Sequence, residues 1–168
     1  MSGDISIRTA AAADGAALAS IYNYYIDNTV VTFEEAAVSA ADMAARVADV
    51  AAAKLPWLVA QTPHGVCGFA YANRWKERCA YRFSVETTVY LERSTLGRGV
   101  GTALYAALIE ALQELGCHAM IGGIALPNAA SVALHEKFGM RQVAHFPEVG
   151  FKFGRWVDVG YWQKLLPG

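Results

Sequence analysis

The sequence predicts an α/β fold: one mixed sheet with helices on both faces. Three observations lead there. Strand-like and helix-like runs follow one another as strand, two helices, three strands, helix, strand, helix and two strands. Residues 82–91 alternate with period two and carry a polar stripe. That strand runs into a glycine-rich turn, Gly97, Gly99 and Gly101, which opens a helix. At 168 residues the chain has the length of one domain, 1–168, with a single substantial core.

The elements follow in order. Ile5 and Ile7 alternate as a short first strand, and Asp14 is placed to cap a helix striped by Leu18, Ile21, Tyr22 and Tyr25. After the loop TVVTFEEAAV, Ser39 and Asp42 have capping-box spacing and start an alanine-rich helix to about Ala53. Trp57 to Gln61 and Val66 to Asn73 read as strands joined by the turn Thr-Pro-His-Gly. The loop RWKERCAY leads to the striped strand, where Phe83, Val85, Val89 and Leu91 alternate with Ser84, Glu86, Thr88 and Tyr90. Ala103, Leu104, Ala107, Leu108, Ala111 and Leu112 have helical spacing, closed by Gly116. The remainder reads as a strand Ala119 to Ala125, a helix Ala129 to Phe138 closed by Gly139, and strands near 141–146 and 157–164.

Composition narrows the function. A net charge of −1 argues against nonspecific nucleic-acid binding. No apolar run reaches the length of a membrane span, and the N-terminal residues lack a basic segment followed by an apolar core, so the expected compartment is the cytoplasm. Cys67, Cys79 and Cys117 are odd in number, widely spaced and outside any metal-ligand pattern, which makes them free thiols and gives no metal site.

The turn at 97–101 has two readings. It is a flexible strand-to-helix connection, or a phosphate site in which unpaired N–H groups at a helix N-terminus, the helix dipole and the Arg98 charge hold an anion. No third glycine completes a dinucleotide fingerprint and no Gly-Lys-Ser/Thr follows, so two common nucleotide motifs are excluded. Glu86, on the polar stripe, faces a cleft or pairs with Arg78 or Arg82.

The Arg-Gly-Val-Gly turn between strand and helix, then Asn128, Ala129, Ser131, Leu134, Glu136, Lys137 and Phe138-Gly139, resemble the acetyl-CoA core of the GCN-related N-acetyltransferase (GNAT) superfamily. Within it, TVVTFEE, RWKERCAY, FSVETTVYLERS, LPNAASVALHEKFGM and VGFKFGRWVDVGYWQK resemble the phosphinothricin and methionine sulfoximine acetyltransferase branch, across nearly the whole chain. One position departs: Leu96 stands where the superfamily usually has Gln or Arg, and it cannot supply that side-chain phosphate contact.

The resemblance implies a mostly antiparallel sheet of about seven strands, in which the parallel strands before and after the glycine-capped helix splay apart to take acetyl-CoA. The pyrophosphate would lie on Gly97, Arg98, Gly99, Val100, Gly101 and Thr102, and pantetheine would pair with the backbone of Val89, Tyr90 and Leu91. Asn128 would bond the cofactor, a role compatible with capping the helix after Pro127. Glu86 matches the catalytic glutamate, the base that an ammonium substrate requires before it can attack a thioester. His135 stands where many members carry the tyrosine that protonates the departing thiolate, and its expected role is auxiliary. The alternative is a helix-face histidine satisfied by a neighbour. Lys76, Arg78 and Tyr81, with Phe33, Thr88 and Tyr90, coincide with the branch's anion-binding positions. The expected substrate is a small amino acid or analogue such as phosphinothricin, methionine sulfoximine or methionine sulfone. Other small amines, a protein N-terminus, and a noncatalytic acyl-CoA-binding module remain as alternatives. The aromatic tail is expected to pack the last strand and to form a homodimer contact.

Overall fold

The computed structural model describes residues 5–167; residues 1–4 and 168 of the predicted domain lie outside them. β1 (Ser6–Thr9) leads to α1 (Gly15–Asn28) and α2 (Ala40–Ala52), then to β2 (Trp57–Thr62), β3 (Gly65–Arg74) and β4 (Ser84–Leu91). After α3 (Val100–Glu114) come β5 (Ala119–Leu126), α4 (Ala129–Lys137), β6 (Arg141–Lys152) and β7 (Arg155–Leu165). The strands make one seven-stranded sheet ordered β1-β2-β3-β4-β5-β7-β6. β4 and β5 are parallel, and every other neighbouring pair is antiparallel.

Alternation along the central strands feeds two cores. Ala60, Ala70, Ala72, Val85, Met120 and Ile124 pack against Leu104, Leu108 and Leu112 of α3, joined by Val132, Leu134 and Phe138 from the α4 region. On the other face Trp57, Val59, Phe69 and Tyr90 are covered by Leu18, Ile21 and Ile26 of α1 and by Met43 and Val47 of α2. Each of the Val, Leu, Ile, Met and Phe side chains among them contributes roughly 1.5–3 kcal/mol on burial, and a one-residue slip would turn the strand residues to the wrong face. The register of β4, and with it the facing of Glu86, is therefore set by its apolar neighbours.

The capping box at α2 forms as the spacing predicts: Ser39 Oγ accepts from Asp42 N–H at 3.0 Å, and Asp42 Oδ2 accepts from Ser39 N–H at 3.2 Å. Asp14 behaves differently. Residues Ala12–Asp14 form a 3-10 turn before α1, so its carboxylate accepts from Ala11 N–H and pairs with Arg8 at 2.8 Å instead of capping the helix. The Arg8 hydrogen bond holds that carboxyl below its usual range. Phe83, expected on the apolar face, precedes β4 and is exposed, its ring under the Arg82 guanidinium.

The last hairpin is longer than its two sequence segments suggest. β6 continues through Pro147 with a register shift between Phe146 and Gly150 and a positive φ at Glu148. An edge strand tolerates this proline because its missing N–H has no ladder partner to lose. Lys152, at the end of β6, is 1% exposed and donates to the carbonyls of Ile26 and Thr32 at 2.7 and 2.8 Å. It thereby ties the loop after α1 to the hairpin, while Gly150 leaves space for the Phe33 ring.

Candidate active site

β4 and β5 pair over only three positions, Ser84 with Ala119, Val85 with Met120 and Glu86 with Ile121. Beyond Glu86 they part, while β5 continues along β7 to Leu126. A cavity of about 330 Å³ fills the gap. Phe33, Tyr71, Glu86, Thr88 and Tyr90 line it on the α1/α2 side, and Thr87, Ile124, Asn128, Ser131 and His135 on the α3/α4 side. It thus connects the two faces of the sheet, with Glu86 and His135 on opposite sides of the opening.

Glu86 makes no hydrogen bond or salt bridge among the described residues; neither Arg78 nor Arg82 pairs with it. Burial raises its carboxyl above the usual range, opposed by the positive charge of Lys76. A desolvated, unpaired carboxylate on a cavity has both oxygens free to accept a proton. Gly123 lies beside it: a Cβ there would make an ordinary contact of 3.5 Å with Glu86 Oε1 and a tight one of 3.1 Å with the Tyr161 ring. Tyr161, which periodicity placed only on a final strand, lies against Gly123 and lines the neighbouring hollow rather than the cavity, and burial raises its phenol ahead of the smaller effect of Glu86.

On the other side His135 is 3% exposed, and burial lowers its pKa. Its Nδ1 lies 2.7 Å from the Ser131 carbonyl and its Nε2 lies 2.9 Å from the Tyr105 hydroxyl, which lies 2.9 Å from Thr87 Oγ1. It is thus a histidine satisfied by neighbours and also a cavity-lining residue. Gly122 is required beneath it, because a Cβ would fall 2.6 Å from Nε2.

The turn has the geometry an anion needs. Gly97 and Gly99 take φ of +74° and +81°, and the first helical bond runs from Ala103 N–H to the Gly99 carbonyl at 3.0 Å. That leaves the N–H groups of Val100, Gly101 and Thr102 without helical acceptors. Arg98 N–H is not among the free donors, as it bonds the Thr95 carbonyl at 3.2 Å. Lys137 Nζ, bonded to Thr102 Oγ1 at 3.2 Å, adds an ammonium that spacing did not place here. Along β4, Val89 and Tyr90 border the cavity, although Tyr90 is mostly core, its ring packed against Tyr22, Tyr25 and Phe69. The Leu91 carbonyl already accepts from Tyr25 Oη at 2.6 Å. Asn128 caps α4 through Oδ1, which accepts from Ser131 N–H at 3.1 Å, so its amide NH₂ remains for a ligand.

The remaining substrate candidates divide. Phe33 and Thr88 line the cavity. Lys76 acts on Glu86 electrostatically from a neighbouring apolar hollow formed with Trp75, Ile121, Phe146 and Tyr161. Arg78 and Tyr81 lie exposed on the loop before β4 and line neither space. Lys152 stays out of the cavity and holds the loop. Among the described residues no cluster of His, Cys, Asp or Glu could hold a metal, and all three cysteines are free.

A parted parallel strand pair, a glycine-opened helix beside it and an unpaired glutamate in the gap define an N-acetyltransferase that uses acetyl-CoA. The acetyltransferase (GNAT) domain family matches residues 7–160. The phosphinothricin N-acetyltransferase of Streptomyces viridochromogenes is 38% identical, over 95% of this chain and 87% of that protein. The L-methionine sulfoximine/L-methionine sulfone acetyltransferase of Salmonella typhimurium is 36% identical, over 96% and 95%. A phosphinothricin acetyltransferase from Sinorhizobium meliloti, solved with acetyl-CoA, superposes with a TM-score of 0.93 at 37% identity, covering 96% of this chain and 88% of that one. The chain belongs to the GNAT acetyltransferase family.

Proposed function

We propose that this N-acetyltransferase acetylates the α-amine of a small anionic amino acid or analogue, of the kind named by phosphinothricin, methionine sulfoximine and methionine sulfone. Acetyl-CoA supplies the activated acetyl group. The observation that carries the reading is Glu86: a half-buried carboxylate without a partner, at the point where β4 and β5 separate. From there it takes a proton from the substrate ammonium, directly or through one water, so that the amine can attack. The first-turn N–H groups of α3, aided by Arg98 and Lys137, hold the pyrophosphate. The free edge of Thr88 to Tyr90 takes the pantetheine as an added strand. Phe33, Thr88 and Tyr90 shape the amine side, Lys76 offers the positive charge nearest Glu86 to the substrate's anionic group, and Arg78 and Tyr81, which line neither space in this structure, would meet that group from the bordering loop. His135 borders the donor side.

Thiol release from acetyl-CoA across a panel of amines tests this reading. Methionine sulfone and phosphinothricin should be used well, and polyamines, aminoglycosides and N-terminal peptides poorly. Losing a charge-assisted contact worth roughly 1.5–3 kcal/mol lowers kcat/KM by about one to two powers of ten. Lys76→Ala and Arg78→Ala should each show that loss with the anionic substrates and not with neutral ones. A wild-type preference for polyamines would remove the anion pocket and leave acetyl transfer standing.

We also infer a homodimer acting on free small molecules in the cytoplasm. Phe146, Val149, Phe151, Phe153 and Trp156 are exposed along the β6–β7 hairpin, an apolar surface suited to a second copy. No helix among the described residues is long and apolar enough to cross a membrane. Light scattering should give about twice 18.1 kDa, and Trp156→Glu should give the monomer mass; a monomeric wild type overturns the inference.

A further inference from the structure

We propose that Tyr105 is a positioning residue that holds His135 as the neutral Nδ1–H tautomer, so that His135 borders the acetyl-CoA side of the gap without gaining or losing a proton during turnover. This rests on the acetyltransferase reading of the cavity only for its catalytic consequence. The tautomer itself follows from hydrogen bonding.

A carbonyl oxygen can only accept, so the 2.7 Å contact with the Ser131 carbonyl places a proton on Nδ1. In a neutral ring Nε2 is then the acceptor, and Tyr105 Oη must donate to it across 2.9 Å. With that proton on Nε2's side, the 2.9 Å contact between Tyr105 Oη and Thr87 Oγ1 has Thr87 as its donor, in preference to the longer 3.4 Å contact of Thr87 Oγ1 with the Ile121 carbonyl. Each member of the chain from Thr87 to Tyr105 to His135 to Ser131 thus has a fixed direction. Tyr105 is fully buried, Thr87 4% exposed and His135 3% exposed, so water does not compete for these bonds.

Every element packed on the ring agrees with a neutral state. Thr87 of β4, Gly122 of β5, Met140 before β6 and Tyr105 of α3 surround it, and none of them carries a charge. Tyr105 is the titratable group in direct contact, and burial raises its phenol far above neutral pH. On the same helix Glu136 bonds Trp162 Nε1 and Lys137 bonds Thr102. Glu86 faces the cavity from its opposite side. Protonating Nε2 would turn it from acceptor to donor against the Tyr105 hydroxyl, within a site that already disfavours charge.

The family resemblance leaves two readings of this position, an auxiliary proton donor and a helix-face histidine satisfied by a neighbour. The structure shows both ring nitrogens in use inside the protein, which leaves Glu86 as the proton acceptor and His135 as a fixed dipole beside the donor. Tyr105, in the second turn of an apolar helical stripe, has no signal in the sequence beyond that of a core aromatic.

The test is ¹⁵N–¹H correlation of the histidine rings, read against pH, in wild type and Tyr105→Phe. In wild type, His135 should show the Nδ1–H pattern and a midpoint below the ordinary histidine value of about 6.5. Removing the donor to Nε2 takes away about one neutral hydrogen bond, which should raise the midpoint by roughly 0.4–1 pH unit and mix the tautomers. The kcat/KM profile of the variant should gain a second ionisation on its acid side, while acetyl-CoA affinity stays unchanged. A wild-type His135 that titrates at or above 6.5, or that carries its proton on Nε2, overturns the proposal. So does a Tyr105→Phe protein whose His135 signals match the wild type. The wild-type spectrum decides the question even if the variant does not fold, and the reading is separate from turnover. An inactive protein with the expected spectrum would count against acetyl transfer and not against this hydrogen-bond chain.

Discussion

Glu86→Gln should lower kcat by about 10²–10⁴ while acetyl-CoA binding is retained, because the amide keeps the shape and loses the base. In wild type the acid limb of kcat/KM should lie above the usual carboxylate range, since burial raises the Glu86 carboxyl. The variant should lack that limb. Stability should move the other way. A carboxyl whose folded pKa is raised stabilises the fold at pH below its unfolded value and loses that contribution as pH rises through the folded value. Wild type thus carries an ionised, half-buried carboxylate at neutral pH at a cost that glutamine avoids. Melting curves should show Glu86→Gln at least as stable as wild type at pH 8, with the difference shrinking toward pH 4. Full turnover in the variant would make Glu86 structural.

Gly99→Val should weaken acetyl-CoA binding by about tenfold or more with the fold intact. Gly99 sits at φ of +81°, a region that a β-branched side chain enters only with strain of roughly 1–3 kcal/mol. No atom crowds the position, so the effect is one of backbone conformation rather than collision. Relaxing that strain swings the turn and turns away the N–H groups of Val100, Gly101 and Thr102. Loss of one charge-assisted bond there corresponds to about one to two powers of ten in Kd. Calorimetric titration with acetyl-CoA decides the point, and an unchanged affinity would detach the turn from the cofactor. Gly101→Val should also weaken binding, for a different reason: its Cβ would stand 3.3 Å from Leu91 Cδ1 and 3.5 Å from Leu134 Cδ2.

The facing of Glu86 and the position of the glycine turn were legible because their signals are local. A period-two strand states which side chains share a face, and glycines before a helical stripe state where a helix begins. Asp14 was misread because a 3-10 turn and an N-cap have the same local composition; what decides between them is the pairing with Arg8, six residues earlier on β1, which alternation does not announce. The end of β6 was lost because Pro147 reads as a strand terminator, and edge position cannot be seen from alternation. Tyr105, Thr87 and Tyr161 were invisible for a deeper reason. Each satisfies the apolar or strand pattern of its own element: the hydroxyls of Tyr105 and Thr87 acquire meaning only when α3, α4 and β4 are brought together, and the Tyr161 ring only when β7 lies beside Gly123 of β5. Lys152 shows the same limit: a basic residue in an aromatic tail gives no sign that its ammonium ends under a loop more than a hundred residues earlier.

The short seam between β4 and β5 has a consequence for how long the enzyme lasts. Three residue pairs join the sheet's two halves, and on the proposed binding mode the donor fills the rest of the seam as a missing strand. A ligand that binds only the folded chain at a hundredfold excess over its Kd adds about 2.7 kcal/mol of stability. For a chain of this size that amounts to roughly 5–11 °C in melting temperature. The lifetime of the protein is then tied to the cell's acetyl supply: when acetyl-CoA is scarce, the catalyst that would consume it becomes the more perishable form.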